Sequence, residues 1–274
     1  WSPSASRWHP RLRASVRGRA FAPSPRQRLK TGQATHRPVR MPRQTPQPEK
    51  PVGVDSLTSD VVRVARIVPR TIAEGPGERF AVWVQGCSIR CPGCFNPQFW
   101  GARGGTEQTV HDLLDAVPVD VEGVTLLGGE PFEQPGSLGV FAEQVRARGQ
   151  SIMTFSGYTV AQLQSRARTD AGVARLLAAT DLLVDGPFDR NQIDRERPWV
   201  GSRNQGFHAL SSRYDALVNR WHESPDLLEV RVLPSGQVEI NGWAETRDIE
   251  DLLDGLRLNG RIGTPTGRTA SVLS

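Results

Sequence analysis

The stretch EGPGERFAVWVQGCSIRCPGC, residues 74–94, runs from a Gly-Pro-Gly turn through an apolar segment and into a cysteine loop. The segment RFAVWVQG, 79–86, has strand length, is rich in aromatic and β-branched residues, and is bounded by glycines. It reads as a buried strand ending at Gly86. Every cysteine of the chain, Cys87, Cys91 and Cys94, lies in the loop that follows.

The same alternation continues outward from this strand. VEGVTLLGG (121–129), SIMTFSG (151–157) and DLLVDGPF (181–188) read as three further strands, the first two ending in glycine and the third breaking at Gly186-Pro187. Between them, TVHDLLDAV (109–117), SLGVFAEQVRARG (137–149), TVAQLQSRA (159–167) and AGVARLLAA (171–179) carry helical spacing. Thr159 is an N-cap candidate and Gly149 a C-cap candidate. A polar, irregular segment covers 189–226; LLEVRVLPSGQVEINGW (227–243) then predicts two strands around Pro234-Ser235-Gly236, and TRDIEDLLDGL (246–256) a last helix. Strand–helix alternation of this kind makes parallel βαβ units. A body of roughly 200 residues falls short of the ~250 of a complete eight-unit barrel. The predicted fold class is therefore α/β, an open, partial parallel β/α barrel.

Charge divides the chain. Residues 1–50 carry twelve Lys/Arg and a single acid, Glu49, leaving 22 of the 34 basic and 28 of the 29 acidic side chains for the rest. A tail so rich in Arg, Pro and Ser cannot bury enough apolar surface to fold. It has three readings: an upstream extension that adds nothing to the fold, with Met41 as an alternative start; a nucleic-acid-binding arm; or an organelle transit peptide. The expected organisation is a disordered basic tail over 1–55, one domain over 56–260, and a flexible C-terminus over 261–274. No run of about 18 apolar residues exists to make a membrane-spanning helix.

Three clustered cysteines do not make a disulfide framework, and they point to a reducing, cytoplasmic setting. Soft ligands spaced Cys87-x3-Cys91-x2-Cys94 suit zinc or an iron–sulfur cluster. Structural zinc takes four protein ligands, and His111, His208 and His222 lie at no finger-like spacing. A [4Fe–4S] cluster on three cysteines keeps one iron open to a substrate.

The CxxxCxxC loop resembles that of the radical S-adenosylmethionine (SAM) superfamily. GGEP, Gly128–Pro131, follows the second predicted strand and resembles that superfamily's methionine-binding motif. Finer similarity is to the glycyl-radical-enzyme activases, namely the anaerobic ribonucleotide reductase activating proteins and pyruvate formate-lyase activating enzymes. It rests on the GPG-x-RF element of 75–80, CPGCFN (91–96), FSGYT (155–159), LVDGPF (183–188) and WVGSRNQ (199–205), and covers about residues 60–245. Val200 and Arg203 depart from that pattern, which has an arginine and a serine there. Pro187 stands near the place where some activases have a lysine, and no lysine follows Lys50.

The resemblance implies a [4Fe–4S] cluster on Cys87, Cys91 and Cys94, whose open iron chelates S-adenosyl-L-methionine. Reductive cleavage then gives a 5′-deoxyadenosyl radical that abstracts hydrogen from a glycine of a partner enzyme. Gly93, Cys94 and Phe95 would pass beneath the adenine, with core packing the other role open to Phe95. Gly128 and Gly129 would border the methionine end. Glu130 either touches the ligand or bonds its own loop; Asp185 either reaches the ribose or methionine end or satisfies a turn. Ser156 and Tyr158 are expected at the same mouth, whereas Asn204 and Gln205 either contact the site or pin the irregular segment. His208 and His222 are read as surface residues, and no general acid or base is assigned. The implied partners are a glycyl radical enzyme and a reduced flavodoxin or ferredoxin, with no membrane or nucleic-acid partner expected for the folded body. Two alternatives stand: a radical SAM enzyme modifying a peptide or small metabolite, and a non-catalytic iron–sulfur or zinc-binding module.

Overall fold

The computed structural model describes residues 60–224, 227–232, 238–242, 250–252 and 254–255. The predicted tail (1–55), the C-terminus (261–274) and the turn at Pro234-Ser235-Gly236 lie outside these residues. Of the helix predicted over 246–256, the described residues 250–252 and 254–255 are helical.

A seven-stranded sheet organises the fold. Its strands are β1 (Val61–Thr71), β2 (Arg79–Val84), β3 (Thr106–Thr109), β4 (Gly123–Gly128), β5 (Ser151–Phe155), β6 (Leu182–Asp185) and β7 (Gly206–Ala209), in the order β3-β1-β2-β4-β5-β6-β7. The central four, β2, β4, β5 and β6, are parallel, and they are the four strands read from sequence. Helices α1 (Val110–Ala116), α2 (Pro135–Ala147), α3 (Val160–Ala167) and α4 (Ala171–Ala179) connect them, and a short α5 (Asp215–Asn219) follows β7. A separate antiparallel pair, β8 (Glu229–Val232) and β9 (Val238–Asn241), completes the described structure. The largely parallel sheet fits a partial barrel.

Antiparallel strands extend the parallel centre at both margins. β1 and β3 add antiparallel strands beside β2, and β7 adds one beside β6, so residues 79–84 form the second strand in the chain. β1 hides from a periodicity reading because its register shifts twice, between Val64 and Arg66 and between Val68 and Thr71. Pro69 sits in the second irregularity, where a missing N–H breaks no ladder bond.

β2 is buried at all six positions because each face has its own cover. Phe80, Val82 and Val84 join the helix-side core with Leu113, Phe141, Val145 and Leu176. Ala81 and Trp83 turn to the other face and pack with Leu127. Each large side chain withdrawn from water there contributes about 1.5–3 kcal/mol. Caps fix where the helices begin. Thr159 and Gln162 form a reciprocal capping box on α3, and Thr109 and Asp170 cap α1 and α4.

Arg79 fills the interior at the N-terminal ends of the parallel strands. Its guanidinium, fully buried, donates to the Thr125 hydroxyl (2.7 Å), the Val124 carbonyl (2.7 Å), the Ser151 hydroxyl (3.0 Å) and the Tyr214 hydroxyl (3.2 Å). Burial pulls its pKa below the usual arginine value, with Tyr214 opposing. Among the described residues no helix is long and apolar enough to cross a membrane.

Candidate active site

The opposite, C-terminal ends of the parallel strands surround an open cavity of about 270 Å³. In a parallel α/β sheet this is the end where loops converge on a ligand.

The loop after β2 supplies the thiols. Its base is tied off by Gly86 N–H donating to the Phe99 carbonyl (2.8 Å) and Cys87 N–H to the Trp100 carbonyl (3.1 Å). Within it, Cys94 N–H donates to the Cys91 carbonyl (3.0 Å), and two residues take left-handed conformations, Arg90 (φ 51°) and Gly93 (φ 82°). Glycine is indifferent to that region, whereas a residue with a Cβ such as Arg90 is held there at a cost of roughly 1–2 kcal/mol. Cys87, Cys91 and Cys94 are free, partly buried, and all border the cavity. Burial pushes the Cys87 and Cys91 thiols up. Backbone N–H groups of Arg90 and Ile89 at Cys87, and of Phe188 at Cys91, pull the other way. The Asn96 N–H points at Cys94 Sγ, at 3.4 Å. Amide donors aimed at sulfur stabilise thiolates and tune the potential of a cluster they hold.

The loop after β4 packs against this one through its backbone. Gly129 N–H donates to the Val84 carbonyl and Glu130 N–H to the Gly86 carbonyl, both at 2.8 Å. A Cβ on Gly129 would stand 2.2 Å from the Gly86 carbonyl oxygen, so only glycine fits. Glu130 is buried and bonds the neighbouring loop: its carboxylate accepts from Phe132 N–H (3.0 Å), the Ser156 hydroxyl (2.9 Å) and Gly157 N–H (2.8 Å). Burial pushes its pKa up to about 7 despite those donors.

Of the residues predicted for the site, Cys87, Cys91, Cys94, Phe95, Gly128, Gly129, Glu130, Ser156 and Gln205 border the cavity. Gly93 and Asp185 are not among the lining residues. Asp185 instead accepts from Val160 N–H at the start of α3 (2.6 Å) and Gly206 N–H (3.2 Å), and pairs with His208 Nε2 (2.9 Å). Tyr158 packs against the helix-side core under the Arg166 guanidinium, 4.5 Å from its ring centre. Asn204 donates to the Pro187 carbonyl (2.7 Å) and Gln205 to that of Gly186 (3.2 Å), tying the irregular segment to the end of β6. Phe95 meets Phe188 with ring centres 5.0 Å apart. His222 is exposed.

Several wall residues escaped the sequence reading: Trp83, Leu127 and Phe155 from the strands, Trp199 from the irregular segment, and Asn241 from β9. Inward-facing strand residues have no separate signature in a run that is buried on both faces.

The donor set fits a cluster. Three thiols border the cavity with no histidine among its lining residues. Among the described residues no three His, Cys, Asp or Glu side chains are arranged to hold a single ion. A cubane makes no such demand, because each thiolate binds its own iron.

Residues 73–208 match the family described as a 4Fe-4S single cluster domain. Three relatives share the name anaerobic ribonucleoside-triphosphate reductase-activating protein. That of Vibrio cholerae is 32% identical over 155 residues, covering 52% of this chain and 95% of its own length. That of Pasteurella multocida is 32% identical over 149 residues, covering 50% and 90%. That of Escherichia coli is 30% identical over 153 residues, covering 52% and 95%. Nearly the whole of each relative is thus accounted for by about half of this chain, and the family match itself, residues 73–208, contains the thiol loop and the parallel strands that aim it. The chain belongs to the radical SAM 4Fe–4S family that includes the anaerobic ribonucleoside-triphosphate reductase-activating proteins.

Proposed function

We propose that this chain activates an anaerobic ribonucleoside-triphosphate reductase by removing a hydrogen atom from its target glycine, with residues 56–260 carrying the chemistry. A [4Fe–4S] cluster with SAM, held in this cavity, would supply the one-electron radical chemistry that removes the glycine hydrogen. The electron comes from a reduced flavodoxin or ferredoxin, which suits a reducing, cytoplasmic setting.

The protein's own part is to hold, orient and shield. Cys87, Cys91 and Cys94 would hold the cluster, their thiolates supported by the amides of Ile89, Arg90, Phe188 and Asn96. Three thiolates would hold the cluster without filling its fourth corner, which would be left for SAM. Carbonyls of the Gly128–Gly129 segment would accept from the methionine ammonium. Gly93 would let the chain pass beneath the adenine, with Phe95 braced against Phe188. Glu130 acts as a staple between the β4 and β5 loops, since both its oxygens are already engaged there. Asp185 orients α3 and β7 from below the site. Trp83, Leu127 and Phe155 form an apolar wall that keeps water from the reacting atoms.

One observation carries this reading: three free thiols and the Gly128–Gly129 turn border a single cavity, in a chain that covers 95% of a named activating protein. The experiment is anaerobic reconstitution with iron and sulfide, followed by incubation with SAM, reduced flavodoxin and the anaerobic ribonucleoside-triphosphate reductase encoded in the same genome. Electron paramagnetic resonance should show a glycyl radical on the reductase. Cleavage of SAM with no radical on that protein would exclude it as the substrate.

A further inference from the structure

The cavity has a wall that the family match does not include. The match ends at residue 208, yet Ile240, Asn241 and Gly242 border the cavity from the β8–β9 pair. This wall is fixed in place: Gly242 N–H donates to Glu74 Oε1 (3.2 Å), and a Cβ on Gly242 would lie 2.0 Å from the Leu227 carbonyl oxygen.

Among the described residues, three polar atoms of cavity-lining residues are buried without a hydrogen-bond partner: Asn241 Oδ1, Trp199 Nε1 and Trp100 Nε1. Asn241 is only 4% exposed. An unmet buried carbonyl or indole N–H costs on the order of 1–3 kcal/mol, so native proteins keep few of them; Gln150, Arg166 and Glu229 hold the others, on residues that do not border the cavity. Trp199 carries a second cost. Its backbone is left-handed, at φ 65°, and Arg197 holds the segment there by bonding Asp194 (2.6 Å) and the Gln205 carbonyl (2.7 Å).

One free acceptor and two free donors are the complement of a peptide backbone, which offers N–H to the acceptor and C=O to the donors. Gly157, Gly186 and Gly201 also border the cavity, and at Gly157 and Gly201 the missing side chains make room for Ile89 and for Phe95 and Phe188. Asn241 and Trp199 stand on walls separate from the thiol loop and the Gly128–Gly129 turn. We infer that Asn241, with the Trp199 indole, forms the seat for the backbone of the glycine-bearing loop of the substrate protein. They are specificity residues for the macromolecular substrate and not part of the SAM site. This rests on the activase reading above.

Two variants test it in the reconstituted full-length chain, again with the same-genome reductase. Asn241→Leu keeps the side-chain shape and removes the polar atoms; Trp199→Phe keeps an aromatic ring and removes the N–H. Each should raise the KM for the reductase by about tenfold or more, while the KM for SAM moves far less. The thermal midpoint of Asn241→Leu should hold or rise, because an apolar group replaces an unmet polar one. A rise confined to the KM for SAM, an unchanged KM for the reductase, or a fall in midpoint that accounts for the lost activity overturns the assignment. If the wild-type chain cleaves SAM and leaves the reductase without a radical, the activase reading itself fails, a result distinguishable from failure of the seat alone.

Discussion

At the N-terminal ends of the parallel strands, the buried Arg79 guanidinium meets Thr125, Val124, Ser151 and Tyr214 with hydrogen bonds of 3.2 Å or less. At the C-terminal ends, buried polar atoms of Trp100, Trp199 and Asn241 have no partner among the described residues, and free thiols line an open space. Both ends belong to the same strands, and β2 begins at Arg79 and ends just before the thiol loop. The lower end spends its arginine on the fold, although Gln150 Oε1 beside β5 is unpartnered there as well; the upper end keeps its unpartnered atoms on residues that border a cavity. Strain is distributed in the same way, since the non-glycine residues with left-handed backbone among those described, Arg90 and Trp199, both belong to segments bordering the cavity. A parallel sheet supports this division because its loops at one end can vary while the other end stays packed.

The sharpest way to break the comparison is to remove the lower plug. Arg79→Met should cost about 3–5 kcal/mol, because the carbonyl and hydroxyls it serves would be left buried and unpaired. Urea titration measures the loss, and the folded fraction should still take up iron. A loss below about 1 kcal/mol would show that Arg79 is a passive filler.

A smaller effect sharpens the division at the upper end. Burial raises the Glu130 carboxyl to about 7 from an ordinary value near 4.5. The folded state therefore keeps this proton after the unfolded state has released it. The stability the neutral carboxyl contributes is fully present below about pH 4.5 and is lost as pH rises toward 7, by about 3 kcal/mol in total. Glu130→Gln cannot ionise, so the stability difference between the variant and wild type should move in the variant's favour from pH 5 to pH 8. Urea titrations at the two pH values decide it; a constant difference would mean that Glu130 titrates normally.

Much of this was legible in the sequence. The four parallel strands and their connecting helices were readable because apolar runs ending in glycine alternate with helical spacing. The α4 boundaries, Ala171–Ala179, coincide with the prediction. β1 was not readable, since two register irregularities and Pro69 spoil its alternation. β3 was not either, because its TEQT carries no apolar residue. In the site, the thiols and the Gly-Gly turn announce themselves by residue type and spacing. Asn241 does not: it lies within the predicted strand pair of 227–243 with no chemical signature of its own, and only the three-dimensional contacts bring β9 to the cavity. Arg79 is hidden for a related reason, as arginine is ordinarily a surface residue.

The central claim is that the upper end holds a [4Fe–4S] cluster with one iron open to SAM. Electron paramagnetic resonance of the anaerobically reconstituted, reduced chain, recorded before and after adding SAM, tests it directly. A cubane signal that changes shape on SAM addition, and is absent from Cys91→Ser, is the expected result. Bound zinc with no cluster signal, or a cluster spectrum indifferent to SAM, would contradict it.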